Sequence, residues 1–150
     1  ISSKCKNKGL YFDFIVMEKY AKRSQTPSTP SIPHMYGLKR QLERIFAEGI
    51  ENRFQRHCDL ADRVRNWALD RMELFAELGY ESTTLTCIKN TNEIDINDFQ
   101  DRLIEKGYMI SGGYGPLKEK TFRISHMGDI MLTDIEELLS VMDETLNEMN

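Results

Sequence analysis

The feature that most restricts the fold of this chain is a change of period at Gly79. Before it, Met35, Leu38, Leu42, Ile45 and Phe46, and then Ile50, Phe54, Ala61, Val64, Ala68, Met72, Phe75 and Leu78, recur at threes and fours. That spacing predicts two successive helices, 34–48 and 50–79, broken or kinked at Gly49 and stopped at Gly79. After Gly79 the pattern shortens. The β-branched run 83–88 predicts a strand; Asp95 caps a helix with Ile96, Phe99, Leu103 and Ile104 inward, and Gly107 ends it. Tyr108–Ile110 and Thr121–His126 predict two more strands, placed closely enough for a hairpin across a glycine loop. A last helix opens near Thr133, with Asp134, Glu136 and Glu137 in its first turn and Ile135, Leu138, Leu139, Met142 and Leu146 inward. Strand, helix, strand, strand, helix over 80–150 is an α+β unit, a small antiparallel or mixed sheet covered by helices.

Within that unit, Gly112 to Gly128 is the stretch where chemistry can sit. Alternation along 121–126 sends Phe122 and Ile124 to one face, Arg123 and Ser125 to the other. A planar guanidinium held on a rigid strand suits a carboxylate, because it offers two parallel donors and keeps its charge. On the strand pattern alone a solvated sheet arginine or an ion-pair partner is the commoner case, since most strand arginines do no chemistry. A strand follows the loop 112–115, so it lacks the strand–loop–helix setting of a dinucleotide fingerprint.

Upstream, Leu10, Tyr11, Phe12, Phe14, Ile15, Val16 and Met17 form an apolar-aromatic segment, a short strand or helix. Pro27, Pro30 and Pro33 then keep the backbone extended and withhold donors, giving a loop whose hydroxyls at Ser24, Thr26, Ser28 and Thr29 could hold an anion or cap the helix behind them. The chain opens on Ile1 without an evident start of a fold, which points to a piece of something longer.

With 150 residues, 40% hydrophobic and 29% charged, the composition is that of one ordinary soluble domain. No apolar run has the length of a membrane span, and 1–10 is too lysine-rich for a signal peptide, so a cytoplasmic location is the default. Cys5, Cys58 and Cys87 have neither disulfide-framework nor zinc-site spacing and are read as reduced. The net charge of −4 conceals +5 over 1–75 and −9 over 76–150. The basic half carries no dense arginine-aromatic cluster, so nucleic-acid binding is not expected. His34, His57 and His126 are scattered, and no nucleophile elbow or metal-binding helix motif occurs, which leaves acid-base, nucleophilic and metal catalysis unsupported.

Taken in order, Thr26-Pro27-Ser28-Thr29-Pro30, Tyr36-Gly37-Leu38, Glu48-Gly49-Ile50-Glu51-Asn52-Arg53, Arg56-His57, Gly112-Gly113, Phe122-Arg123-Ile124 and Met127-Gly128 resemble class V pyridoxal-phosphate aminotransferases, of the alanine-glyoxylate and serine-pyruvate type. Each motif is weak alone; their order is specific. The resemblance implies the small C-terminal domain of a fold type I enzyme, with a three- to four-stranded, mostly antiparallel sheet, helices on one face and a long kinked helix before it. It implies a division into 1–33, a linker with the Thr-Pro loop; 34–79, a connecting helix; and 80–150, the C-terminal domain. Arg123 matches the family arginine that holds the substrate α-carboxylate. Thr29, and second to it Thr26, match the segment that reaches the cofactor phosphate of a neighbouring subunit, hence a homodimer. Pyridoxal 5'-phosphate is the implied cofactor, and a small amino acid with a 2-oxo acid such as glyoxylate or pyruvate the implied substrates.

Two departures stand out. Ser125 replaces the glycine common after the Arg-Ile pair. Lys4, Lys6 and Lys8 are not placed like the lysine that would carry the cofactor, so no catalytic residue is assigned and this chain alone is expected not to transaminate. Two rival readings remain: a non-catalytic ferredoxin-like module that senses an amino acid or dimerises, and a helical interaction protein using the long stripe. The Thr-Pro loop and the break at Gly49 speak against the module, which needs neither.

Overall fold

The computed structural model describes residues 4, 9 and 11–149; Cys5, Lys6, Lys8 and Leu10 lie outside the described residues. The chain forms two compact units, Ile1–Ala47 and Glu48–Asn150.

In the first unit the apolar-aromatic segment is helical: α1, Phe14–Ala21, is capped by Asp13, whose carboxylate accepts from the Ile15 N–H at 2.9 Å. The proline-spaced loop follows, and α2, Ile32–Glu48, begins directly after Ser31 with Pro33 in its first turn, where a missing N–H costs no helical bond. Neither helix buries a residue; Met35, Leu38, Leu42 and Phe46 have the spacing of a packed stripe and are exposed.

Gly49, at φ +87°, interrupts the helical path as its sequence position leads one to expect, and α3, Ile50–Leu69, starts behind it. The second unit then runs β1 Glu73–Leu74, β2 Leu85–Lys89, α4 Ile96–Glu105, β3 Ser111–Gly112, β4 Thr121–Ser125 and α5 Leu132–Met149. The four strands make one antiparallel sheet in the order β1-β2-β4-β3. Ile88, Phe122 and Ile124 on one sheet face join Leu60, Val64, Trp67 and Ala68 of α3, Ile96, Phe99 and Leu103 of α4, and Ile135, Leu139 and Met142 of α5 in a single core. Phe99 and Phe122 meet edge to face, ring centroids 5.8 Å apart. The α+β class, the antiparallel sheet and the helices covering its apolar face accord with expectation.

Three expectations need correcting. The helix predicted to reach Gly79 stops at Leu69. Met72 and Leu74 fit either period, and the free edge of β2 decides: Leu74 pairs with Ile88, Glu73 with Lys89, and the Phe75 N–H donates to the Cys87 carbonyl at 2.9 Å. Phe75 and Leu78, the presumed end of the stripe, are exposed. The strand placed at Tyr108–Ile110 falls instead at Ser111–Gly112. The Tyr108 N–H caps α4 by donating to the Leu103 carbonyl, across Gly107 at φ +90°, and the Gln100 amide donates to the Ile110 carbonyl. Those backbone groups are taken, so the ladder starts one residue later. Ile104, assigned to the inner face of α4, is 55% exposed.

Candidate functional site

The hairpin of β3 and β4 sets the register on which the site depends. Ser111 lies opposite Arg123 and Gly112 opposite Phe122; on the other side Cys87 lies opposite Arg123. Thr121, Phe122 and Ile124 are buried while Arg123 is half-buried, so the guanidinium leaves the core on the sheet's open face.

The glycine loop then folds back over that open face. The Gly113 N–H donates to the Thr121 carbonyl at 2.8 Å, and the Thr121 hydroxyl donates to the Leu117 carbonyl at 3.4 Å. A Cβ on Gly113 would stand 2.2 Å from the Leu117 oxygen and 2.5 Å from the Thr121 hydroxyl. Only glycine permits this approach, which is why Thr121, on the open side of the strand, is 1% exposed. A Cβ on Gly112, in contrast, would meet side chains and no backbone, the Gln100 oxygen at 3.3 Å and Ile96 Cγ2 at 3.7 Å.

Arg123 stands at the rim of an open cavity of about 510 Å³, bounded by Asn97 and Gln100 of α4, the loop 111–115, Lys118 and Glu119. Its Nε–H donates to the Gly112 carbonyl at 3.2 Å, and its guanidinium carbon lies 4.3 Å from the centre of the Tyr114 ring. Among the described residues it makes no ion pair, whereas Arg53, Arg56, Arg65, Arg71 and Arg102 each meet a carboxylate. With Nε engaged, the two terminal nitrogens remain, the end-on fork that matches both oxygens of a carboxylate. Tyr114 and the two α4 amides were not singled out in the sequence; the available signal was a large aromatic between two loop glycines.

The second half of the stretch is structural. Gly128, at φ +75°, presents its carbonyl to Arg53 at 2.9 Å, to Arg56 at 3.0 Å and to His57 at 3.4 Å. Arg53 also donates to Asp129 at 2.8 Å, and Glu48 takes Arg53 at 2.8 Å and Arg56 at 2.7 Å. The Arg56 hydrogen bond, ahead of the charges of the two arginines, holds the Glu48 carboxyl below its usual range, and Glu48 in turn raises Arg56. His126, fully buried, shares a 2.9 Å hydrogen bond with the Thr86 hydroxyl; burial first, then the charge of Arg65, lowers its pKa and favours the neutral ring. It pins the end of β4 and faces no cavity bounded by Arg123.

Thr26 and Thr29 lie in the other compact unit, beside an open cavity of about 700 Å³ bounded by Tyr11, Met17, Tyr20 and the loop 25–31. The Thr26 hydroxyl donates to the Ser28 carbonyl at 2.7 Å, so its proton is committed. Thr29 is exposed. Its hydroxyl and the non-proline N–H groups of the loop are the donors there suited to an anion.

No family model matches the chain. Individual relatives do. An uncharacterized aminotransferase of Methanocaldococcus jannaschii is 36% identical over 145 residues, 94% of this chain and 37% of that protein. A serine–glyoxylate aminotransferase of Methylorubrum extorquens is 30% identical over 130 residues, 81% of this chain and 31% of that protein. Among solved structures, the alanine–glyoxylate aminotransferase from Nostoc sp. superposes with a TM-score of 0.81 at 25% identity, over 96% of this chain and 40% of that one. The chain thus spans between 31% and 40% of the length of these proteins.

Proposed function

We propose that the chain, which is similar to one part of known aminotransferases, supplies the substrate-carboxylate clamp and part of the cofactor-phosphate site of a class V pyridoxal-phosphate aminotransferase. The enzyme would move an amino group between a small amino acid and a 2-oxo acid of the glyoxylate or pyruvate type. The observation that carries this reading is Arg123: half-buried on the open sheet face, unpaired by any carboxylate among the described residues, and lining a cavity.

Arg123 would take the α-carboxylate end-on, fixing the amino acid by two parallel charge-assisted bonds and so orienting its Cα–H bond. Asn97 and Gln100 offer uncharged neighbours, and the Glu119 carboxylate on the same cavity accepts from the Asn97 amide at 3.0 Å and makes no ion pair with Arg123 among the described residues, which leaves the guanidinium's charge to the substrate. Thr29 would offer its hydroxyl to the cofactor phosphate. Thr26 fits that group only if its bond to Ser28 opens, which ranks it second. The cofactor, when bound, supplies the electron sink for the Cα carbanion. We assign the lysine that would carry the cofactor to no residue of this chain, so the chain alone is expected to be inactive. The enzyme is read as a cytoplasmic homodimer, the Thr-Pro loop of one subunit serving the other.

The test is Arg123→Lys in the full-length enzyme. Replacing a planar fork by a point charge should raise the amino-acid KM and lower kcat, with the cofactor's absorbance unaltered. An unchanged KM would remove the clamp.

A further inference from the structure

Tyr114 is 75% exposed, which buries little of its ring against solvent, yet its backbone is held on both sides. The Gly113 N–H is bonded to Thr121, and the Tyr114 carbonyl accepts from the Leu117 N–H at 2.9 Å. Gly113 has no room for a side chain, so the root of Tyr114 stands at a fixed place above the open sheet face. From that root the ring reaches the Arg123 guanidinium, 4.3 Å away, while the Gly112 carbonyl holds Nε in the same group.

We infer that Tyr114 is a positioning residue for the carboxylate site, its ring face and the Gly112 carbonyl together fixing the plane of the Arg123 guanidinium before a ligand arrives. The inference rests on the carboxylate reading of Arg123. A guanidinium has many rotamers to lose on binding. One clamped through Nε and stacked on a ring has already lost them, so binding does not bear that cost again. The stacking face leaves both terminal nitrogens uncovered at their edges, where a carboxylate approaches in the plane. Because the site is exposed, the contact is weak enough that the ring acts on affinity and not on folding.

The experiment compares Tyr114→Phe with Tyr114→Leu. In the full-length enzyme, acetate serves as a competing carboxylate against the amino acid. Leucine should raise the acetate inhibition constant and the amino-acid KM together, roughly two- to five-fold, the factor that an exposed cation–π contact represents, with kcat held within about two-fold. Phenylalanine, which keeps the ring, should match wild type in both. In this chain, the Arg123 Nε–H resonance should be shifted upfield in wild type and Tyr114→Phe, and not in Tyr114→Leu. A leucine variant with unchanged constants overturns the inference, as does a phenylalanine variant as weak as leucine, which would assign the effect to the hydroxyl. Arg123→Lys is the control that separates the premise: if it leaves the acetate constant unaltered, the carboxylate reading itself falls.

Discussion

Replacing Gly113 by alanine tests how the site is built. The added Cβ would lie 2.2 Å from the Leu117 oxygen, 2.7 Å from the Leu117 carbonyl carbon and 2.5 Å from the Thr121 hydroxyl. Ordinary contacts there need more than an ångström extra, and the obstacle is backbone that cannot swing away. Forced overpacking costs about 1–3 kcal/mol. Moving the loop to relieve it sacrifices the Gly113–Thr121 hydrogen bond, about 1 kcal/mol, and leaves the buried Thr121 without its cover. A loss of roughly 2–4 kcal/mol follows, which at a urea m-value of about 2 kcal/mol/M lowers the unfolding midpoint by about 1–2 M. The control is Gly112→Ala. Its Cβ meets a Gln100 side-chain oxygen at 3.3 Å and Ile96 Cγ2 at an ordinary 3.7 Å, in extended backbone that tolerates alanine, so its midpoint should move by less than about 0.5 M. Urea unfolding of both variants, followed by far-ultraviolet circular dichroism, decides. Equal midpoints, or Gly112→Ala the weaker of the two, would refute the argument that close approach at Gly113 shapes the loop over Arg123.

Two further outcomes follow from the polar scaffold. The folded-state pKa of Glu48 lies below its unfolded value of 4.5, chiefly through Arg56, so its contribution is present above pH 4.5 and fades as pH falls through the folded value. Glu48→Gln should therefore lower the urea midpoint at pH 7 and narrow its difference from wild type toward pH 3; a difference independent of pH would contradict this. Asp143 accepts the Trp67 indole N–H at 2.8 Å and pairs with Arg71 at 2.6 Å. Asp143→Ala leaves the nearly buried indole without its acceptor, a loss of about 1–3 kcal/mol, readable in the fluorescence of the single tryptophan; an unchanged midpoint would show that another acceptor replaces the carboxylate.

What the sequence determined alone was whatever depends on near neighbours. Helical spacing, Asp95 as a cap, Gly49 and Gly107 as breaks, and the alternation that turns Arg123 away from Phe122 and Ile124 all follow from contacts a few residues apart. The ordered motifs pointed to the aminotransferases, and the relatives agree. Tertiary structure decided where two local solutions compete. Residues 73–74 leave the helical stripe because β2 needs an edge partner, and the ladder at Ser111 waits until α4 has taken the backbone of Tyr108 and Ile110. It also decided which of two adjacent glycines is indispensable, because the demand comes from Leu117 and Thr121 and not from φ. The contact of Tyr114 with Arg123 is of the same kind: nine residues apart in the chain, they meet only because the loop is drawn down onto the sheet, a distance that no period or propensity encodes.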